Sequence, residues 1–105
     1  MFISLVLSFR NEEKNINELV NRCVDVLKKY KKYEIIFVND ASDDNSLELL
    51  LNLRKKNKNI KILTTSRPFG VSPCVLAGFK KAKGDAIVYM DSDLQDPPEI
   101  IDELI

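Results

Sequence analysis

The chain has 105 residues, 45% hydrophobic and 30% charged, which suits one small globular domain with a modest core. Lysine and arginine total 16 and so do aspartate and glutamate, so no bulk charge draws the chain to nucleic acid or to a membrane surface. Histidine is absent, which excludes Ser-His-Asp and Cys-His chemistry and speaks against zinc.

In chain order, FISLVLS (2–8) is a short apolar run that predicts a buried strand, and RNEEKN is a polar turn. Ile16, Leu19, Val20, Cys23, Leu27 and Tyr30 then fall at helical spacing, and Asn15 with Glu18 has capping-box spacing. EIIFVN (34–39) predicts a second strand. DASDDNS is a turn rich in capping residues, with Asn45 and Glu48 at the entry to a helix over 47–56. IKILTT (60–65) predicts the third strand, and SRPFG a loop.

Ser72-Pro73 predicts a helix start, and Gly84 the glycine cap at that helix's end. DAIVYM (85–90) predicts the fourth strand, after which Asp96, Pro97, Pro98 and Glu99 open a last helix. The order β-α-β-α-β-α-β-α predicts an α/β fold: a Rossmann-like parallel sheet with helices on both faces, in a single partial domain over 1–105. Cys23 and Cys74 form no CxxC and read as reduced, buried packing residues. The N-terminus lacks the basic segment of a signal peptide, and no apolar stretch is long enough to span a membrane, so a cytoplasmic chain is expected.

Ligands of such sheets bind at the carboxyl ends of the strands. Those ends deliver Ser8, Arg10, Asn11, Glu12 and Glu13 from the first strand, and Asn39, Asp40, Ser42, Asp43 and Asp44 from the second. The third gives Ser66 and Arg67, and the fourth Asp91, Asp93, Gln95 and Asp96. The opposite edge has plain turns such as KKYKKY and NKNKN. Asp91 and Asp93, two apart after a strand, can face one divalent ion. Their oxygen ligands suit Mg²⁺ or Mn²⁺, and an ion held by few carboxylates suggests a substrate diphosphate. A D-x-D also arises by chance, and Asp43, Asp44 and Asp96 read more simply as turn and capping residues. Neither a Ca²⁺ loop nor a glycine-rich phosphate loop fits.

The series LSFRNEE, FVNDASDDNS, SRPFG and AGFKKAKGDAIVYMDSDLQDPPE resembles the inverting glycosyltransferases of family 2, over essentially the whole chain. The likeness is to the branch with dolichol-phosphate mannose synthase and bacterial polyprenyl-phosphate glycosyltransferases. It implies the N-terminal, donor-binding half of a GT-A fold and a UDP- or GDP-sugar. By position it assigns the nucleoside to the Phe9-Arg10-Asn11-Glu12 turn and to Asp40 and Ser42, with Asp40 on the base. Arg67 would lie near the base and phosphates. Asp91 would lie near the ribose and the metal waters, with Ser92 beside it, and Asp93 with Gln95 would hold the metal.

Four departures stand out: Ser8 for a frequent Pro, Asp40-Ala41-Ser42 for Asp-Gly-Ser, Pro68 for Asn, and Val71-Ser72-Pro73-Cys74 for a basic residue and alanines. The resemblance places the catalytic base and the lipid-phosphate acceptor site in a second half beyond Ile105. The 105-residue chain is therefore expected to be inactive alone, with the cytoplasmic membrane face as the setting of a longer form. The alternative is a non-catalytic nucleotide-binding module, or one that dimerises through the fourth strand. A nucleotidyltransferase ranks last, because LSFRNEE lacks that class's glycine-rich loop.

Overall fold

Alternation along the strands decides which residues the sheet buries. The computed structural model describes residues 1–90 and 98–101. It contains β1 (Phe2–Phe9), α1 (Ile16–Leu27), β2 (Lys32–Asn39), α2 (Ser46–Lys56), β3 (Ile60–Thr64), α3 (Val71–Lys81) and β4 (Ala86–Tyr89), then a 3₁₀ turn at Pro98–Ile100. The four strands are parallel in the order β3-β2-β1-β4. Ile3, Leu5, Leu7, Phe9, Ile35 and Phe37 point to the side covered by α1 and α2 and form the main core there. Val6, Ile36 and Val38 point to the other side, where α3 brings Cys74 against them. Both cysteines are free and buried, on opposite faces of the sheet.

The helices stand where their periodicity places them, but the caps differ from the capping-box expectation. Neither Asn15 nor Asn45 bonds its helix through its side chain. Asn15 already has helical dihedrals and donates its amide to Glu12 instead, at 2.8 Å. At α2 the acceptor is Asp44, whose Oδ1 takes the Ser46 N–H at 3.0 Å. Helix α3 begins at Val71, so Ser72 and Pro73 lie inside its first turn and Gly70, at φ 91°, precedes it. Gly84 is not that helix's cap, because Ala82 ends it in extended conformation. The glycine instead sits against β1: a Cβ there would fall 2.6 Å from Ser4 Oγ, 2.7 Å from Ser4 N and 2.9 Å from Phe2 O.

Under the sheet, at the end away from the polar turns, Glu34 is 1% exposed. Its Oε2 accepts from Ser4 Oγ at 2.5 Å and from Lys83 N at 2.7 Å, and its Oε1 accepts from Lys61 Nζ at 2.5 Å. Gly84 N–H donates to Ser4 Oγ at 2.8 Å and closes the network. A buried carboxylate is tolerated here because both of its oxygens meet donors and one of these is a cation.

Strand β4 pairs only with β1 among the described residues. Val88 and Met90 are buried on its α1 side, where Ile101 joins the core and Glu99 pairs with Arg22 of α1 at 2.5 Å. The last helix expected from Asp96 is seen as the 3₁₀ turn and helical Ile101, with Asp96 itself outside the described residues. On the α3 side Ile87 stays 43% exposed, because α3 lies over β1 and β2. No described helix is long and apolar enough to cross a membrane.

Candidate functional site

The strand order reverses at β1. From there the chain winds outward through β2 and β3, then crosses back to place β4 on β1's other side. The carboxyl end of the β1–β4 pair is thus the topological switch point, where open α/β sheets form their ligand crevice. Ser8 Oγ and Tyr89 Oη meet across it at 3.3 Å. Met90, whose N–H donates to Val6 O, leads straight into the Asp91-Ser92-Asp93 sequence. Asp91, Ser92, Asp93 and Gln95 lie outside the described residues. Among the described residues no group of three acidic or thiol side chains could hold a metal ion.

The turns after β1 and β2 are sewn together at this edge. Asn11, at φ 57°, donates its N–H to Ser42 Oγ at 3.0 Å, and its Oδ1 accepts the Asp43 N–H at 2.7 Å. Glu12 N–H donates to Ser46 Oγ at 2.9 Å, and Glu13 N–H to Asp44 Oδ2 at 3.2 Å. Arg10 adds an exposed ion pair with Asp43 at 3.2 Å. Buried Asn39 accepts the Ser42 N–H on Oδ1 at 3.0 Å. Burial alone would push the Asp44 carboxyl up, but the donors of Ser46 and Glu13 outweigh it and hold the carboxyl below its ordinary value. Turn backbone that would otherwise need water is satisfied by side chains of the neighbouring turn, which fixes both turns together.

Asp40 turns the other way. Its Oδ1 accepts from Phe69 N at 2.8 Å and Thr65 Oγ1 at 3.2 Å, and its Oδ2 from Gly70 N at 2.9 Å. Burial raises this carboxyl, and the two amides, with the Thr65 hydroxyl and the Cys74 thiol, bring it below its ordinary value. The Cys74 thiol is pushed up to about 11 by burial and by the facing Asp40, so it stays protonated and is a poor nucleophile. Beyond this anchor the loop exposes Arg67, with its guanidinium carbon 5.0 Å from the Phe69 ring centroid.

Of the sequence-derived residues, Arg10, Asn11, Glu12, Asp40, Ser42 and Arg67 do gather at the carboxyl edge. Phe9 brings no side chain to that edge. Its side chain is buried on the α1 side, edge-on to Phe37 with centroids 6.1 Å apart, and its carbonyl accepts the Asp40 N–H. Alternation from Leu5 and Leu7 sends it into the core, so it supports the turn from beneath. Asp44 accepts from Ser46 N–H at the start of α2, as its reading as a turn and capping residue expects, whereas Ser46, Thr65 and Cys74 went unassigned by motif because each acts on a partner far off in the chain.

Ala41 sits at φ 53°, the left-handed region that costs a Cβ-bearing residue about 1 kcal/mol over glycine. Its place between Asp40 and Ser42 is where the resembling family carries glycine. Ala41→Gly is expected to raise stability by roughly 0.5–1 kcal/mol, read as a higher urea midpoint with unchanged slope.

The parallel sheet with its polar turns gathered at the carboxyl switch point has the Rossmann-like fold of GT-A glycosyltransferase structures. Residues 4–105 match the model of Glycosyl transferase family 2, and the chain belongs to that family. It is 44% identical over 104 residues to the glycosyltransferase sll0501 of Synechocystis sp., and 39% identical over 105 residues to the dolichol-phosphate mannosyltransferase of Pyrococcus furiosus. Those alignments cover 98% and 100% of this chain but 33% and 29% of the relatives, so the chain spans about a third of their length. The structure of S. aureus TarS in complex with UDP-GlcNAc superposes at a TM-score of 0.79 and 28% identity, over 89% of this chain and 27% of that one.

Proposed function

We propose that residues 1–105 form the nucleotide-diphospho-sugar-binding part of an inverting glycosyltransferase that passes its sugar to a polyprenyl phosphate. The observation that carries this reading is the convergence, at the switch point, of the two interlocked turns, the Arg67 loop and the chain leading into the D-x-D. TarS, whose structure in complex with UDP-GlcNAc superposes on this fold, supports a nucleotide-sugar donor. The name of the Pyrococcus relative supports a lipid-phosphate acceptor. In this reading Arg67 lies near the base and phosphates, and the Phe9-Arg10-Asn11-Glu12 turn, Asp40 and Ser42 flank the nucleoside.

Asp91, Asp93 and Gln95 offer only oxygen donors, the set that suits Mg²⁺ or Mn²⁺. A metal there would offset the charge that develops on the departing nucleoside diphosphate. The full-length setting is the cytoplasmic face of the membrane.

Calorimetric titration of UDP, GDP and their sugar conjugates, with Mn²⁺ and then with chelator, tests the reading. One nucleotide is expected to bind in a metal-dependent way, with loss of roughly tenfold or more in affinity for Asp93→Asn. A folded chain that binds none of them, and that sediments as a dimer through the free edge at β4 and Ile87, would replace this reading with that of an interaction module.

A further inference from the structure

Half of the chain's cations stand in two short segments at the end of the sheet away from the polar turns. RKKNKNIK (54–61) carries five and KKAK (80–83) three of the 16 lysines and arginines, and neither segment contains an acidic residue. Those in the last turns of α2 and α3 complement the helix dipoles. Lys58, Lys61 and Lys83 lie beyond the helices, so that role does not cover them. The fold draws the two segments together: Arg54, Lys58, Lys61, Lys81 and Lys83 rim an open groove of about 380 Å³ along β3, with the half-buried Ile62 and Leu63 in its wall. Among the described residues no acidic side chain lines it, and of its five cations only Lys61 has a counter-ion, the buried Glu34.

This groove follows a free strand edge, because β3 pairs only with β2 among the described residues. Asn59 O and Thr65 N–H bond to β2. In a parallel ladder the residues that bond one neighbour alternate, so Lys61 and Leu63 face β2 as well, while Ile62 and Thr64 turn their N–H and C=O to the open side. A lysine on an edge often guards it, but the one lysine within β3 lays its ammonium on Glu34 of β2, away from that side. A second copy of the chain would bring the same cations to the same edge and be repelled. A phosphate-bearing surface would meet the cations and leave the strand's backbone groups unpaired. An extended acidic segment satisfies both: its backbone continues the ladder, its carboxylates meet the rim, and its alternate side chains pack on Ile62 or Leu63.

We propose that the β3 edge is a docking site for an extended acidic segment of a partner protein, which adds to the sheet as a further strand beside β3. The surface lies away from the candidate donor site, and the inference does not depend on the donor reading.

The probe is a fluorescein-labelled, end-blocked peptide alternating valine and glutamate over about ten residues. Fluorescence anisotropy reads its binding, and amide hydrogen exchange reads the edge. The peptide is expected to bind the native chain, to slow exchange at Ile62 and Thr64 about tenfold or more, and to leave the already paired Lys61 and Leu63 unchanged. Raising salt from about 50 to about 300 mM should weaken it several-fold. Lys58→Glu combined with Lys81→Glu should weaken it about tenfold. Both side chains are exposed and form no ion pair among the described residues. The same peptide with all its backbone amides methylated keeps its charge and loses its donors, and should bind about tenfold more weakly or worse.

Unchanged exchange at Ile62 and Thr64, or a methylated peptide that binds as well as its parent, would overturn strand addition. Unchanged binding by the charge-reversed variant would remove the groove's cations from the interaction. No binding of the parent peptide would overturn the acidic partner, and so would tighter binding of phosphatidylglycerol vesicles or of single-stranded RNA. The arms that use the native chain decide the proposal even if the variant fails to fold.

Discussion

Glu34→Ala is expected to lower the unfolding free energy by about 3 kcal/mol, and the midpoint of thermal unfolding by roughly 15 °C. The variant strips partners from the Ser4 hydroxyl, the Lys83 N–H and the Lys61 ammonium at once. Ser4 is fully buried and cannot turn to water, whereas the Lys61 side chain is 38% exposed and can. Lys61→Ala should cost a comparable amount, because it leaves the buried Glu34 carboxylate without its counter-ion and its Oε1 without a donor.

The same network makes stability depend on pH. Burial pushes the Glu34 carboxyl up, and the bonds from Lys61, Ser4 and the Lys83 N–H together bring it below the ordinary glutamate value of 4.5. A carboxyl lowered in the folded state binds its proton more readily when unfolded. Its contribution is then complete above about 4.5 and is lost as pH falls through the lower folded value. Asp40 and Asp44 are lowered as well and add to the acid sensitivity of the native chain. Glu34→Gln isolates the first term: the stability gap between native and variant should narrow from pH 7 to pH 3.5 in urea unfolding. A constant gap would show that Glu34 is held by packing alone.

Gly84→Ala is the second large effect, a loss of about 3 kcal/mol. The added methyl would meet Ser4 N and Phe2 O, and backbone held in a strand cannot move aside as a side-chain tip can. The Gly84 N–H would also leave Ser4 Oγ, so the substitution strikes the Glu34 network as well. The two variants share Ser4, and their combination should therefore cost less than the sum of the parts. Denaturant unfolding of the two singles and the double measures that coupling. Neither substitution is at the candidate site, so loss of nucleotide binding at temperatures where the variants stay folded would contradict the separation of the two ends of the sheet.

Local pattern determined much of this protein. A parallel sheet buried on both faces needs strands that are apolar on both sides, and β1 and β2 say so within their own residues. Helix α1 is written in the spacing of Ile16, Leu19, Val20 and Cys23, and the gathering of polar residues at one edge follows from the parallel order alone. The tertiary structure decided which of those polar residues are left for a ligand. Asn11, Ser42, Asp44 and Ser46 spend their side chains on the neighbouring turn, and Asp40 spends its carboxylate on a loop 25–30 residues away.

Capping-box spacing pointed to Asn15 and Asn45, while the N–H groups at those helix starts went to Glu12 O and Asp44 Oδ1 in the same turns. The glycine after α3 looked like a helix cap and proved to be a point of close approach to β1. A buried glutamate within an apolar strand carried no local sign of the lysine, serine and amide that make it tolerable. Side-chain periodicity is set by neighbours in the chain and can be read from it. Hydrogen-bond partnership across the fold is set by which turns the sheet brings together, and that is fixed only once the strands have paired.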